Sequence, residues 1–153
     1  MTQTAFDVIQ RLAGKTLATA ESMTAGGIGA ALTAVPGASV VFKGGVISYC
    51  DDVKHRLLGV PHAYLSTFGA VSAPVAEAMA VGARELLHTD IALSVTGLAG
   101  PGGDEFGNPV GTVFIGYADK TGVSVVEYHF IGDRDSIRNQ AIEAALRLIL
   151  ENA

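Results

Sequence analysis

The stretch Leu17-Ala-Thr-Ala-Glu-Ser22-Met-Thr-Ala-Gly-Gly27 decides the architecture. A short apolar run ends in a polar cluster and then breaks into glycine, the grammar of a strand, a tight turn and a helix start. A serine at that junction carries its hydroxyl above the end of the strand, with the unpaired N–H groups of the helix close by. Those donors, and the positive end of the helix dipole, suit an oxyanion or a phosphate. Gly26 and Gly27 remove side chains where a ligand would approach the backbone. On residue type alone, capping the helix is the commoner role for such a serine.

Outward from this junction, strands and helices mostly alternate. Ala5, Ile9 and Leu12 recur at helical spacing over 4–13, and Gly14 stops the run. Residues 16–20 read as a strand, 24–35 as a small-residue helix ended by Pro36-Gly37, and 40–49 as β-rich. Gly44-Gly45 inside that last run predicts a bulge or a close backbone approach. Ser72 fits the N-cap of a helix running to about His88, with Pro74 in its first turn. Residues 90–96 form a near-continuous apolar run, the mark of a central strand. A Gly/Pro-rich loop spans 97–111. Two β-rich runs, 112–118 and 123–130, flank Asp119-Lys-Thr-Gly122, read as a four-residue hairpin connection. A final helix covers 133–151. The pattern predicts one domain over 1–153: an α/β protein, a three-layer α/β/α sandwich on a mixed sheet of about five strands.

Composition narrows the function classes. Charged residues make up only 16% of the chain and the net charge is −5, which argues against a nucleic-acid backbone binder. Cys50 is the sole cysteine and His55, His62, His88 and His129 are scattered, so neither an internal disulfide nor a zinc site is expected. There is no signal-peptide pattern and no apolar run of membrane-spanning length. A cytoplasmic protein with no metal, no cofactor and no membrane partner is the expectation. So apolar a composition also makes a homo-oligomer the expected state.

Three further segments carry chemistry-bearing residues. Ser48-Tyr49-Cys50-Asp51-Asp52-Val53-Lys54 follows the second β-run. An isolated lysine there is ordinarily solvated, and it could serve as a base only if burial depressed its pKa. Thr96-Gly97-Leu98-Ala99-Gly100-Pro101-Gly102-Gly103 leaves a central strand, where open α/β sheets bind ligands and where backbone N–H groups can cradle an anion. Gly132-Asp133-Arg134-Asp135-Ser136-Ile137-Arg138 opens the last helix. Arg134, Arg138, Ile142, Leu146 and Leu150 recur every four residues, so the arginines extend an apolar stripe expected to meet the core. They stand at a dipole end that disfavours cations, so either an ion pair with Asp133 or Asp135 or a bound phosphate would satisfy them. The G-G-I-G around Gly27 lacks the third glycine and the later acid of a dinucleotide site.

These four segments together resemble the CinA C-terminal domain family, whose characterised members are nicotinamide-nucleotide amidases. The family's A-E-S-C-T-G-G appears here with Met23 for the cysteine and Ala25 for the first glycine. Its S/T-Y-S-N-x-x-K appears with Cys50 and Asp51 for serine and asparagine. Its S/T-G-I-A-G-P-x-G-G and G-D-R-x-x-x-R are followed almost letter for letter. The resemblance covers nearly the whole chain and implies the CinA-like α/β/α fold. It implies a stand-alone amidase part, since longer members carry a further N-terminal domain.

The implied reaction is hydrolysis of the carboxamide of nicotinamide mononucleotide. Ser22 is then the nucleophile, Lys54 its base and Tyr49 an aid to the proton relay. Thr24, Gly26, Gly27, Thr96, Gly97 and Gly100 shape the nucleotide pocket, and Arg134 and Arg138 clamp the phosphate. Ser–Lys pairs are an established variant of triad logic. Two other readings stay open: a nucleotide-binding homologue without turnover, and an amidase for another small amide. Ala25 bears on the choice if its position needs φ > 0.

Overall fold

The computed structural model describes residues 1–153. Twelve elements follow in order: α1 (Gln3–Arg11), β1 (Leu17–Glu21), α2 (Gly27–Thr33), a 3-10 turn (Ala38–Val40), β2 (Phe42–Ile47), α3 (Asp51–Leu58), α4 (His62–Phe68), α5 (Ala73–Leu87), β3 (Ile91–Gly97), β4 (Thr112–Asp119), β5 (Gly122–His129) and α6 (Arg134–Asn152). The sheet order is β2-β1-β3-β4-β5. β1 pairs in parallel with β2 and β3, while β3, β4 and β5 form an antiparallel meander. No helix is long and apolar enough to cross a membrane.

Alternation along the strands sends side chains to two cores. On one face Leu17, Ile91, Leu93, Val95, Val113 and Ile115 meet α1, α2 and α6. On the other, Ala18, Ala20 and Ala92 meet α3, α4 and α5. The second face is built from small residues because α5 lies almost on the sheet. Gly116 shows why: a Cβ there would stand 2.9 Å from Ala76 O on α5. The outcome is the expected α/β/α sandwich on a mixed five-stranded sheet.

Two connections leave β1's neighbourhood in opposite directions. β1 reaches β2 through α2 on one face, and β2 returns to β3 through α3–α5 on the other. The carboxyl end of β1 is thus a topological switch point, where open α/β sheets present a crevice. Ser22 is the next residue.

Local differences from the sequence reading have physical causes. The segment 51–68 forms two helices, α3 and α4, that the pattern of the sequence does not predict. α3 has signals of its own: Asp51 and Asp52 in the first turn, and Gly59 at φ 71° closing its end. Its eight residues bury only Lys54 and Leu58, too few to make a visible apolar period. The hairpin connection is shorter than expected. Asp119 and Gly122 already pair, leaving a two-residue turn, Lys120-Thr121. α2 starts at Gly27 rather than Thr24. Ser72 is the N-cap of α5, but its hydroxyl donates back to Gly69 O instead of accepting from the helix. The buried stripe of α6 is Ile137, Ala141, Ala145, Leu148 and Ile149 with Leu146, so the Arg134–Arg138–Ile142 row runs along its edge. Gly44-Gly45 behaves as expected: the β1–β2 register shifts between Leu17 and Ala18, and any Cβ on Gly45 would collide with Thr19.

Candidate active site

The site is assembled at the carboxyl ends of β1, β2 and β3. Ser22 leaves β1 with its N–H donating to Val95 O of β3 at 3.0 Å, which pins the turn to the sheet. On the other side Ser48 follows β2, its N–H donating to Glu21 O at 2.7 Å. α3 begins three residues later, at Asp51, and carries Lys54 back over the strand end. One helical turn is enough to bring Nζ to 3.0 Å from Ser22 Oγ and 2.6 Å from Ser48 O.

Lys54 is only 2% exposed. Burial holds its amine below the ordinary lysine value, and the charges of Asp51 and Cys50 push the other way. No carboxylate forms a salt bridge with it. Nζ donates to both oxygens, and once the amine gives up a proton its lone pair can accept that of Ser22 while an N–H stays on Ser48 O. A nucleophile activated by an adjacent amine is what this geometry can supply.

Glu21 is the buried organiser of the serine turn. Its Oε1 accepts from Thr24 Oγ1 at 2.8 Å and Ile28 N–H at 2.9 Å, and its Oε2 from Thr19 Oγ1 and Gly29 N–H, both at 3.1 Å. The first amides of α2 are therefore satisfied from within the protein. This corrects the expectation that they stand open to a ligand anion. Gly26 and Gly27 are corrected in the same way. Gly26 serves as a left-handed N-cap at φ 91°, and a Cβ on Gly27 would lie 2.5 Å from Ile142 of α6. Both glycines answer to backbone shape and helix packing. The free donors lie earlier: the N–H groups of Met23 and Thr24 have no acceptor in the protein.

A cleft of about 170 Å³ opens beside Ser22, lined by Met23, Tyr49, Gly97, Gly100, Gly102 and Arg134 among others. Arg134 crosses its rim, donating from Nη1 to Gly100 O at 2.6 Å and from Nη2 to Tyr49 Oη at 3.1 Å. The Tyr49 hydroxyl is thus tied to Arg134 and makes no hydrogen bond to Ser22 or Lys54. The N–H groups of Ala99, Gly100 and Gly102, which line the same cleft, have no acceptor in the protein.

Thr96 and Thr24 are both buried and both bond within the protein, Thr96 Oγ1 to Ala70 O at 2.8 Å and Thr24 to Glu21. Arg138 turns away from the rim to the carbonyls of Met23 and Thr24. Neither arginine pairs with a carboxylate. Asp133 instead caps α6 through Ser136 N–H at 2.8 Å. The expected clamp is divided: Arg134 faces the cleft and Arg138 the turn.

Ala25 occupies the left-handed region at φ 50°. A β-carbon there costs about 1–2 kcal/mol, part of which a glycine would return as unfolded-chain entropy. Ala25→Gly should therefore raise stability by about 0.5–1 kcal/mol, or Tm by about 1–4 °C. Thermal melting followed by circular dichroism decides it. A lower Tm would mean that the turn carries no strain.

Fold and site together define an α/β/α sandwich with a buried serine–lysine pair at its switch point. Residues 2–153 match the family described as CinA C-terminal domain, and the chain belongs to that family. A CinA-like protein of Geobacter metallireducens is 56% identical over 128 residues, covering 84% of this chain and 31% of that protein. A putative competence-damage inducible protein of Desulforamulus reducens is 50% identical over 136 residues, covering 89% and 33% respectively. The chain thus spans about a third of the length of these curated relatives. Among solved structures, a competence-damaged protein (CinA) superfamily protein from Escherichia coli superposes with a TM-score of 0.96 at 33% identity, covering 98% of this chain and 88% of that one. Competence/damage inducible protein CihA from Agrobacterium tumefaciens gives 0.91 at 34% identity, over 99% and 96%.

Proposed function

We propose that this chain hydrolyses the carboxamide of nicotinamide mononucleotide to nicotinic acid mononucleotide and ammonia, through an acyl-enzyme on Ser22. The observation that carries the reading is the buried Lys54 amine 3.0 Å from the serine hydroxyl. Neutral Lys54 takes the Ser22 proton as Oγ attacks the amide carbon. The N–H groups of Met23 and Thr24 receive the oxyanion, an interaction that contributes about 3–4 kcal/mol where measured in hydrolases. The Lys54 ammonium returns its proton to the leaving nitrogen, and ammonia departs. Water activated by the same amine then cleaves the ester.

The cleft is smaller than the roughly 300–1,000 Å³ of pockets that enclose a whole ligand. It holds the ring that bears the amide, and the ribose phosphate lies over Arg134 and the amides of the 99–103 loop. The same size favours one second reading, an amidase for a small amide without the nucleotide. Ammonia release from the purified protein on the mononucleotide, its riboside and free nicotinamide separates the two. Preference for the mononucleotide supports the first reading; equal rates on all three support the second; no release from any leaves a binding homologue.

Arg134→Ala should raise KM for the mononucleotide about five- to tenfold with kcat reduced less. The effect is smaller than for a buried pair because the rim is open to water. Kinetics on the riboside should barely change. If both substrates lose equally, Arg134 does not bind the phosphate.

A further inference from the structure

Arg138 starts one turn after Arg134 on α6, yet its guanidinium belongs to the serine turn. Nε donates to Met23 O at 2.9 Å and Nη2 to Thr24 O at 3.2 Å. No acid competes for it. We infer that Arg138 is a positioning residue that aims the Met23 and Thr24 N–H groups at the oxyanion, an inference that rests on the serine–lysine reading above.

The reason is peptide planarity. In a trans peptide, a C=O and the N–H of the following residue lie in one plane and point opposite ways. Holding Met23 O therefore fixes the N–H of Thr24. Holding Thr24 O fixes the N–H of Ala25, which donates to Ser22 O at 3.1 Å. Ser22 O in turn shares a plane with the N–H of Met23. Two bonds from one guanidinium thus orient both unpaired donors, one directly and one through a single intervening hydrogen bond. Glu21 secures the far end of the turn through Thr24, and Val95 O secures the near end at Ser22 N–H. The rigid, planar fork of arginine suits two carbonyls at fixed separation; a lysine amine on a flexible stem does not reproduce it.

A phosphate ligand and a positioning residue make opposite demands. The first requires charge, the second requires two donors at fixed angles. Labelling of Ser22 by a fluorophosphonate separates them, because that probe carries no nucleotide. Ser22 Oγ forms a bond to phosphorus, fluoride leaves with the bonding electrons, and the serine proton passes to Lys54. The phosphoryl oxygen then occupies the place of the oxyanion.

Arg138→Ala and the charge-retaining Arg138→Lys should both be labelled about a hundredfold more slowly than wild type, as read by intact mass. Arg147→Ala, an exposed arginine on the same helix, is the control. On the amide substrate kcat should fall with KM within about twofold, equally for nucleotide and riboside. Labelling of Arg138→Lys at the wild-type rate, or a KM increase confined to the nucleotide, overturns the inference. Where Arg138→Ala unfolds, Arg138→Lys, checked by circular dichroism, carries the test. A wild-type Ser22 that does not react overturns the serine–lysine reading itself, and the positioning role with it.

Discussion

Ser22→Ala should lose at least about a thousandfold in ammonia release while keeping its fold. The substitution deletes one hydroxyl whose only bonded partner is Lys54 Nζ. Nothing in the turn depends on it, since Glu21, Val95 and Arg138 hold the backbone independently. The cost to stability should stay near one hydrogen bond, about 1 kcal/mol. Substrate binding, measured calorimetrically on the inactive variant, should persist. Retained turnover would mean that water attacks the amide directly and that the serine is only a neighbour.

Lys54→Met should lose comparable activity, and adding Ser22→Ala should cost little more, because the two groups act as one unit. Two pH dependences follow from the lowered Lys54 pKa. The wild-type rate should rise with pH through an apparent pKa below the ordinary lysine value of 10.5, as the amine becomes a base. Stability shifts in a defined direction too. Between the folded-state pKa and about 10.5 the unfolded chain binds one more proton than the folded one, so raising pH stabilises the fold. Below the folded-state pKa both states carry the proton and the slope vanishes. Wild type should therefore gain stability relative to Lys54→Met as pH rises across that window, as denaturant melts at several pH values would record. Parallel stability profiles would mean that the Lys54 amine titrates as if solvated. A Lys54→Arg enzyme with normal rates would remove the base role altogether, since guanidinium keeps its proton.

Much of this was readable from the chain. The strand–turn–helix at 17–27, the long α5 and the antiparallel meander all announce themselves through period and punctuation. The site was legible as four segments, each an unremarkable loop by itself. What escaped was which groups satisfy one another. Lysine counts as a surface residue in any pattern, so the burial of Lys54 on the short α3 left no trace in periodicity. Glu21 looked like part of a polar cluster. Two of its four hydrogen bonds reach across seven or eight residues to Ile28 and Gly29, a distance no local rule covers. Gly27 looked like room for a ligand and is room for Ile142. Arg134 and Arg138 share one helical face by spacing, and a single turn of α6 is enough to send them to different partners.

The Lys54–Ser48 contact has a mechanical side. Ser22 and Lys54 hang from neighbouring strands, Lys54 from β2 at the sheet's edge. A two-residue slip of β2 against β1 would keep every side chain on its proper face and still carry Lys54 about 7 Å out of reach. The extra residue in β2 at Lys43, followed by Gly45 seated against Thr19, denies that slip a second resting place. The spacing of Ser22 and Lys54 is therefore kept by a notch in the sheet some 11 residues upstream of Lys54. Smoothing that notch would loosen the Ser22–Lys54 pair without altering either residue.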